Sequence, residues 1–297
     1  MKKLFFIISA MFLPFSSNAW EACGTDADGN TANCEYQIIN GTLTIRGVGN
    51  NGNIGYWHEV DEGNGYKTTA PWGNNASQIQ NVVIGEGIKD VGSYAFVGIK
   101  SNISIEVPSG VTTISSNAFY SFNASEIKLP DTVTSIDYSA FNWSSITKID
   151  IPDSVDTLLG ACFRGAWALK DVVVPDSIHY IPSNTFSYTD LGTLTIGENT
   201  ILGSIFGDDI LRVDLSKLKV YCTGDTSKCD ENLAEAGYSD LKSEKATAKT
   251  INGVTYVYDK NGKLITTSGT RKEKRIYTIE EANQVAGTTN RVSIKYK

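Results

Sequence analysis

The stretch IKLPDTVTSIDYSAF, residues 127–141, recurs with small variations through the middle of the chain. Each copy ends on a small residue followed by phenylalanine, and neighbouring phenylalanines are 22 or 23 residues apart. So constant a period is typical of a solenoid, in which each unit buries its apolar side against its neighbours. Five clear units end at Phe96, Phe119, Phe141, Phe163 and Phe186, and a sixth, degraded unit runs to about Phe206.

Within each unit, alternating apolar residues predict short strands. Ile127 and Leu129 are two positions apart, which places both side chains on one face of a strand. Pro130 can end that strand because proline has no N–H to donate to a sheet. A second apolar pair, Val133 and Ile136, follows before the corner closes. We therefore expect a repeat solenoid, mainly β, with short parallel strands, an internal column of phenylalanines and a cap at each end.

Outward positions of neighbouring units alternate in charge. Glu106, Lys128 and Asp150 occupy equivalent places one repeat apart. Stacked units would bring such residues to the spacing of adjacent strands, about 4.8 Å. Opposite charges at that spacing favour the register, so we interpret this column as structural.

The phrase Ile-x-Leu-Pro-Asp-x-Val-x-x-Ile-x-x-x-Ala-Phe resembles the BspA-like leucine-rich repeats of bacterial surface and secreted proteins. The resemblance covers about residues 79–206, and residues 41–45 and 70–72 resemble the entry region that precedes such arrays. It implies a leucine-rich repeat fold and a role in adhesion or host interaction. The residues after each phenylalanine depart from the common small-small-Cys ending, which predicts a more aromatic corner along one edge.

The first 19 residues have the pattern of a secretory signal peptide. Lys2 and Lys3 precede an apolar run over residues 4–13, and Ser17-Asn18-Ala19 forms a small-residue cleavage site. The apolar run is shorter than the roughly 20 residues that span a bilayer, which disfavours a membrane anchor. No later segment is apolar enough to be a transmembrane segment, so we expect a secreted or cell-surface protein.

Five segments follow from these patterns. Residues 1–19 are the signal peptide, and residues 20–78 are an N-terminal cap and entry region. The leucine-rich repeat array occupies residues 79–217, and a C-terminal cap with a local disulfide occupies residues 218–249. Residues 250–297 are predicted to contain a hairpin, a basic linker and a small terminal module.

The charge excludes one class of partner. Removal of the signal peptide takes the net charge from −7 to −9, and binding to a phosphate backbone draws on clustered Lys and Arg. We therefore expect no nucleic-acid partner. Residues 271–297 carry seven basic and three acidic groups, which we interpret as a solvated surface, with a polyanion site as the less favoured alternative.

The five cysteines are expected to meet an oxidising compartment after export. Cys23 and Cys34 flank one turn-rich loop, and Cys222 and Cys229 flank another, so local pairing within each couple is the simplest connectivity. Cys162 stands where other units have alanine before the phenylalanine. It is therefore predicted to be a small core residue and not a nucleophile.

The sequence offers little for catalysis. It has two histidines, of which His58 has Glu59 and Asp61 close by but no second histidine to support a metal site. Phosphate-binding loops and nucleophile motifs are missing from the sequence. We expect no catalytic residues, no metal site and no cofactor.

Aromatic residues are the candidates for binding. Five of them follow the phenylalanine column, and two more lie in the entry region, where they either form a binding platform or seal the end of the first unit. The five form a binding stripe if they project outward and ordinary core if they fold inward, and the sequence leaves these alternatives open. The candidates are Tyr120, Phe122, Trp143, Trp167 and Tyr188 on the corners, and Trp57 and Trp72 in the entry region.

The preferred interpretation is a secreted or cell-surface leucine-rich repeat protein that binds or adheres to a protein or glycan, host-derived ligands included, without catalysis. One alternative is a purely structural protein of the envelope. Another is a glycan-active enzyme that uses the N-terminal aromatic region.

Overall fold

The computed structural model describes residues 19–268, except residues 50, 62, 64–65, 101–103, 208–213 and 252–253. The predicted signal peptide up to residue 18, and nearly all of the predicted linker and terminal module, lie outside the described residues.

The described chain begins with an antiparallel hairpin, as the alternation between Tyr36 and Ile45 predicts. Its turn is Asn40-Gly41, with φ angles of 49° and 74°, and two left-handed residues match the twist of the flanking strands. The elements of this N-terminal region are β1 (Glu21–Ala22), β2 (Cys34–Ile39), β3 (Thr42–Gly47), β4 (Gly52–Asn53), β5 (Glu59–Asp61), β6 (Tyr66–Thr68) and a 3-10 helix (Gly73–Gln78).

The repeats form stacked coils, each with a strand on two faces. The register is parallel: Ile127 pairs with Ile105 and Ile149 on one face, and Ile136 pairs with Ile114 and Leu158 on the other. This confirms the predicted solenoid. The array strands are β7 (Asn81–Ile84), β8 (Ile88–Val91), β9 (Ile105–Glu106), β10 (Thr113–Ile114), β11 (Glu126–Lys128), β12 (Ser135–Ile136), β13 (Lys148–Asp150), β14 (Thr157–Leu158), β15 (Asp171–Val173), β16 (Tyr180–Ile181), β17 (Thr193–Ile196) and β18 (Ile201–Leu202).

A column of phenylalanine rings runs through the core. The first five rings stack with centroids 5.2–5.9 Å apart and interplanar angles of 3–16°. The column is closed at the N-terminal end by Trp72, which stacks on Phe96, and at the C-terminal end by Tyr238, which meets Phe206 edge-on. The side chains of the column are fully or almost fully buried, so the repeat period is set by ring stacking as well as by strand pairing.

Cys162 lies in the same corner as the alanines of other coils and is completely buried. Burial raises the pKa of its thiol well above the ordinary value, so the group stays protonated and unreactive. Both predicted disulfides are confirmed, Cys23 with Cys34 and Cys222 with Cys229.

The C-terminal cap differs from the sequence prediction in two respects. The helix predicted within Asp230–Leu241 begins earlier, because Asp225 accepts a hydrogen bond from the Ser227 backbone N–H and caps it. The predicted boundary between residues 249 and 250 lies inside a strand that pairs in parallel with the array sheet and continues into the hairpin. The elements here are β19 (Lys219–Cys222), α1 (Thr226–Glu235), β20 (Ser243–Ile251), β21 (Val254–Asp259) and β22 (Leu264–Ser268).

Removal of one ring from the middle of the column should be costly. Phe141→Ala leaves a cavity that the rings of Phe119 and Phe163 cannot fill, so we expect a loss of about 3–5 kcal/mol in the free energy of unfolding. Urea denaturation followed by circular dichroism measures it. Leu159→Ala is the control, since Leu159 is 42% exposed. An equal effect of both variants would contradict the role of the column.

The carboxylate of Asp90, in β8, predicts a pH dependence of stability. Burial and the nearby Asp137 raise the pKa of Asp90, although a hydrogen bond from Ser115 Oγ, 2.7 Å long, opposes the shift. An acid whose pKa is raised on folding destabilises the fold once it ionises, so this cost is absent at pH below the ordinary aspartate pKa and present at neutral pH.

Asp90→Asn should therefore raise the melting temperature at pH 7, and the difference from the parent should vanish in strong acid. Asp156→Asn, at an exposed site, is the control for removal of one charge. A lower melting temperature of Asp90→Asn at pH 7 would show that the hydrogen bond outweighs the burial of charge.

Candidate binding edge

The corner that follows each phenylalanine contains a backbone position that favours glycine. Two residues after the phenylalanine, φ is positive in each of the five clear coils. Glycine adopts this conformation freely, whereas another residue pays about 1–2 kcal/mol. The residues are Gly98 (73°), Ser121 (52°), Trp143 (57°), Gly165 (71°) and Tyr188 (60°).

Trp143 and Tyr188 belong to coils that are not adjacent, and they meet across Gly165. A Cβ atom at Gly165 would lie 2.6 Å from Trp143 Cδ2, so the indole covers the place of the missing side chain. The ring centroids of Trp143 and Tyr188 are 5.7 Å apart, at an interplanar angle of 37°. The glycine thus lets two aromatic rings form one surface over three coils.

A cation completes this surface. The guanidinium carbon of Arg164 lies 4.8 Å from the ring centroid of Tyr188 and 6.0 Å from that of Trp143, within the range of cation–π attraction. Trp143 is 39% exposed and Trp167 is 60% exposed. Trp167 is on the same loop as Arg164, and its backbone N–H donates to Gly165 O. We refer to Trp143, Arg164, Trp167 and Tyr188 as the aromatic edge.

Tyr120 has a different environment from the rest of the predicted stripe. Its ring is half-buried and lies 5.8 Å from that of Tyr66 in β6, and burial raises the pKa of its hydroxyl. The backbone of Tyr66 in turn lies against Gly98, where a Cβ atom would be 1.9 Å from the Tyr66 carbonyl oxygen. Tyr120 therefore helps to hold the β5–β6 hairpin against the first coils.

Three predicted binding residues lie in the core and are inaccessible to a ligand in this structure. Phe122 is fully buried because it occupies the inward position held by Ile99 and Ala166 in other coils. Trp72 and Trp57 are 0% and 4% exposed and donate their indole N–H groups to backbone carbonyls. The burial of Trp57 and Trp72 agrees with the sealing role that the sequence left open for them, and neither ring is available to a surface platform.

The acidic residues beside His58 lie on the exposed β5–β6 hairpin and not in a cleft. Glu59 and Asp61 are on β5, and partial burial together with the charge of Asp61 raises the pKa of Glu59. The His58 ring lies against Tyr56, with centroids 5.7 Å apart. Within residues 19–268, apart from the gaps, no group of three His, Cys, Asp or Glu side chains could hold a metal ion.

Arg164 was not a sequence candidate, yet it joins the two rings of the edge. The sequence signal for this surface is the appearance of glycine and aromatic residues at one corner position, which is Gly98, Ser121, Trp143, Gly165 and Tyr188 in successive coils, and Arg164 directly precedes the glycine between the two rings. An aromatic residue at a position that favours glycine indicates a ring that lies over the neighbouring coil.

The backbone at Trp143 predicts an unusual tolerance. In Trp143→Gly, relief of the left-handed conformation offsets the loss of a partly exposed ring, so the free energy of unfolding should change by less than about 1 kcal/mol. Phe122→Gly, which removes a ring at a buried corner position, is the contrasting variant. Thermal melts compare the stability of the two variants. A large loss of stability in Trp143→Gly would mean that this ring belongs to the core.

Comparison with known proteins supports the repeat assignment. Residues 89–209 match the BspA type leucine-rich repeat region in six copies. No curated protein matches the chain. A region of this type suggests a binding or adhesion role. In the part of the chain that the structure describes, no helix is both long and apolar enough to cross a membrane.

Several solved structures are similar at low identity. The pneumococcal vaccine antigen PcpA is 15% identical, with a TM-score of 0.41 over 77% of this chain and 52% of that one. A leucine-rich repeat protein from Bacteroides ovatus is 19% identical, with a TM-score of 0.44 over 66% of this chain and 55% of that one. A leucine rich cell surface protein from Faecalibacterium prausnitzii is 12% identical, with a TM-score of 0.30 over 72% and 93%.

The chain thus spans about half the length of the first two of these structures. The six matched copies and the stacked coils agree on one assignment: residues 89–209 of this chain are a BspA type leucine-rich repeat region.

Proposed function

We propose that the chain is an exported, non-catalytic binding protein of the cell surface, which uses the aromatic edge to bind a protein or a glycan. The observation that carries the proposal is the Trp143–Tyr188 pair. Both residues occupy backbone positions that favour glycine, and strain of this kind persists where the surrounding structure maintains it, often at functional sites.

The chemistry of the edge suits recognition. Tryptophan, tyrosine and arginine dominate the energetics of protein interfaces. Flat rings also provide a face for the C–H surface of a sugar, and Arg164 offers several N–H donors to hydroxyl or carboxylate oxygens. An edge that extends over three coils favours a ligand that is itself a surface or an extended chain.

Export is supported by two features. The N-terminal 19 residues have the signal-peptide pattern, and both disulfides require an oxidising compartment to persist. A purely structural envelope role does not account for the exposed Trp143 and Trp167 or for the left-handed backbone at Trp143 and Tyr188. The burial of Trp57 and Trp72 makes a glycan-active enzyme built on the N-terminal aromatics the less favoured alternative, although Tyr56 and Tyr66 of that region are exposed.

Binding by the full exported chain to a glycan array and to immobilised extracellular-matrix proteins tests the proposal. Trp143→Gly/Tyr188→Gly should lower the affinity at least about tenfold for any ligand found, since each ring acts as an anchor, with little change in melting temperature. Tyr180→Thr is the matched control, because Tyr180 is 51% exposed on β16 and Thr157 holds the equivalent place in the preceding coil.

Equal binding by the parent and the double variant would contradict a role for the aromatic edge. Binding lost equally in Tyr180→Thr would indicate a general surface effect. A complete absence of binding on both ligand panels would favour the structural alternative.

A further inference from the structure

A cleft of about 730 Å³ separates the proline-aspartate turns of the array from the C-terminal strands. Ser268, in β22, lines the same cleft as Asp131, in the third coil. The sheet reaches this position because Val173 of the array and Tyr221 of β19 pack with Ala246 and Val257 of the C-terminal strands in a small hydrophobic cluster of their own. The volume lies within the range of small-ligand sites.

The walls of the cleft are acidic. Four carboxylates line it, and none of its lining residues in the described chain is basic. One of these carboxylates is in an ion pair, since Lys148 Nζ lies 2.8 Å from Asp150 Oδ2. The carboxylates belong to Asp131, Asp150, Asp153 and Asp176, and three of them follow the prolines of successive coils.

Three hydroxyl groups in the cleft donate to the backbone and therefore face a ligand as acceptors. Ser154 Oγ donates to Val133 O at 2.7 Å, and Ser177 Oγ donates to Val155 O at 2.6 Å. A hydroxyl has one hydrogen, so each serine offers only oxygen lone pairs to a ligand. Thr223 Oγ1 likewise donates to the backbone, to Ile196 O.

Asp150 retains unused acceptor capacity. The residue is 8% exposed, yet its Oδ1 is buried and has no hydrogen-bond partner among the described residues. A buried carboxylate oxygen without a donor costs free energy, and a cation bound beside Asp150 would offset that cost through its charge. The remaining lining includes Ile151, Pro152 and Pro175, which supply apolar contact beside the acceptors.

From this combination we infer that the cleft binds an organic cation, in which ammonium or guanidinium groups are carried on an aliphatic chain. Such groups have several donors and no acceptor, which complements carboxylates and acceptor-only hydroxyls. The methylenes of the chain match the apolar residues. The volume far exceeds that of a metal ion, and the described residues hold no cluster of three metal-ligating side chains.

Isothermal titration of the full exported chain tests this site with three probes. Spermine represents a free polyamine, acetyl-Gly-Lys-Gly-Lys-Gly-amide represents the basic side chains of a peptide, and the same peptide acetylated on both lysines is the uncharged control. Each titration is repeated in a background that carries Arg271→Gln, Lys272→Gln, Lys274→Gln and Arg275→Gln, since these cations follow the cleft residue Ser268 closely in the sequence and could compete.

The cleft variant is Asp153→Asn/Asp176→Asn, in which both changes are at exposed rim residues. Asp156→Asn/Asp240→Asn removes the same charge outside the cleft and is the control. We expect saturable binding of spermine or of the lysine peptide, weakened about tenfold or more in the cleft variant and unchanged in the control. The tighter of the two probes identifies the source of the cation.

Three results would overturn the site. The first is no saturable binding of either cation in either background. The second is binding that the cleft variant and the control weaken equally, and the third is equal binding of the acetylated peptide. None of these results bears on the aromatic edge, which is at the corners of the coils.

Discussion

The stacking of phenylalanine rings along the axis is the interaction on which the rest of this molecule depends. Ring centroids 5.2–5.9 Å apart must keep step with strands about 4.8 Å apart. Both spacings are kept where neighbouring coils have nearly the same length and the same register, and the shorter last coil, from Phe186 to Phe206, has its ring tilted by 44° and 6.4 Å away. The 22- to 23-residue period is therefore a packing requirement, and it explains why the corner residue beside each ring is small.

A column of this kind cannot end in solvent. Trp72 covers its first ring and itself meets Trp57 edge-on, and Tyr238, which follows the disulfide-linked helix α1, covers the last. The buried aromatic residues at the two ends therefore complete the core. At the corners, the place of a residue around the turn decides the outcome, because Phe122 is buried and Trp143 is exposed.

The two candidate sites arise from departures within an otherwise uniform repeat. At the corners, Gly165 between Trp143 and Tyr188 creates one aromatic surface from separate coils. At the turns that follow β11, β13 and β15, the repeated proline-aspartate pairs align carboxylates. The C-terminal strands cover that acidic surface and form a cleft with it. Each site needs residues from three coils, so neither exists in a single repeat.

The sequence by itself determined the solenoid, its period, the parallel register, the disulfide pairs and the buried place of Cys162. These are local or periodic properties, and a repeat of constant length specifies its neighbours. It could not separate Phe122 from Trp143, because one residue of offset around a tight corner turns a side chain from core to solvent. It also missed β20 and the early start of α1, since pairing with the edge of the array and a single capping aspartate leave weak patterns.

Only the tertiary structure decided which aromatic rings meet, that Arg164 lies over them, and that strands far along the chain return to close a cleft against the third, fourth and fifth coils. Those contacts join residues from different coils or from the two ends of the array. Their geometry depends on how the coils twist and where the sheet bends, which no periodicity in the sequence records.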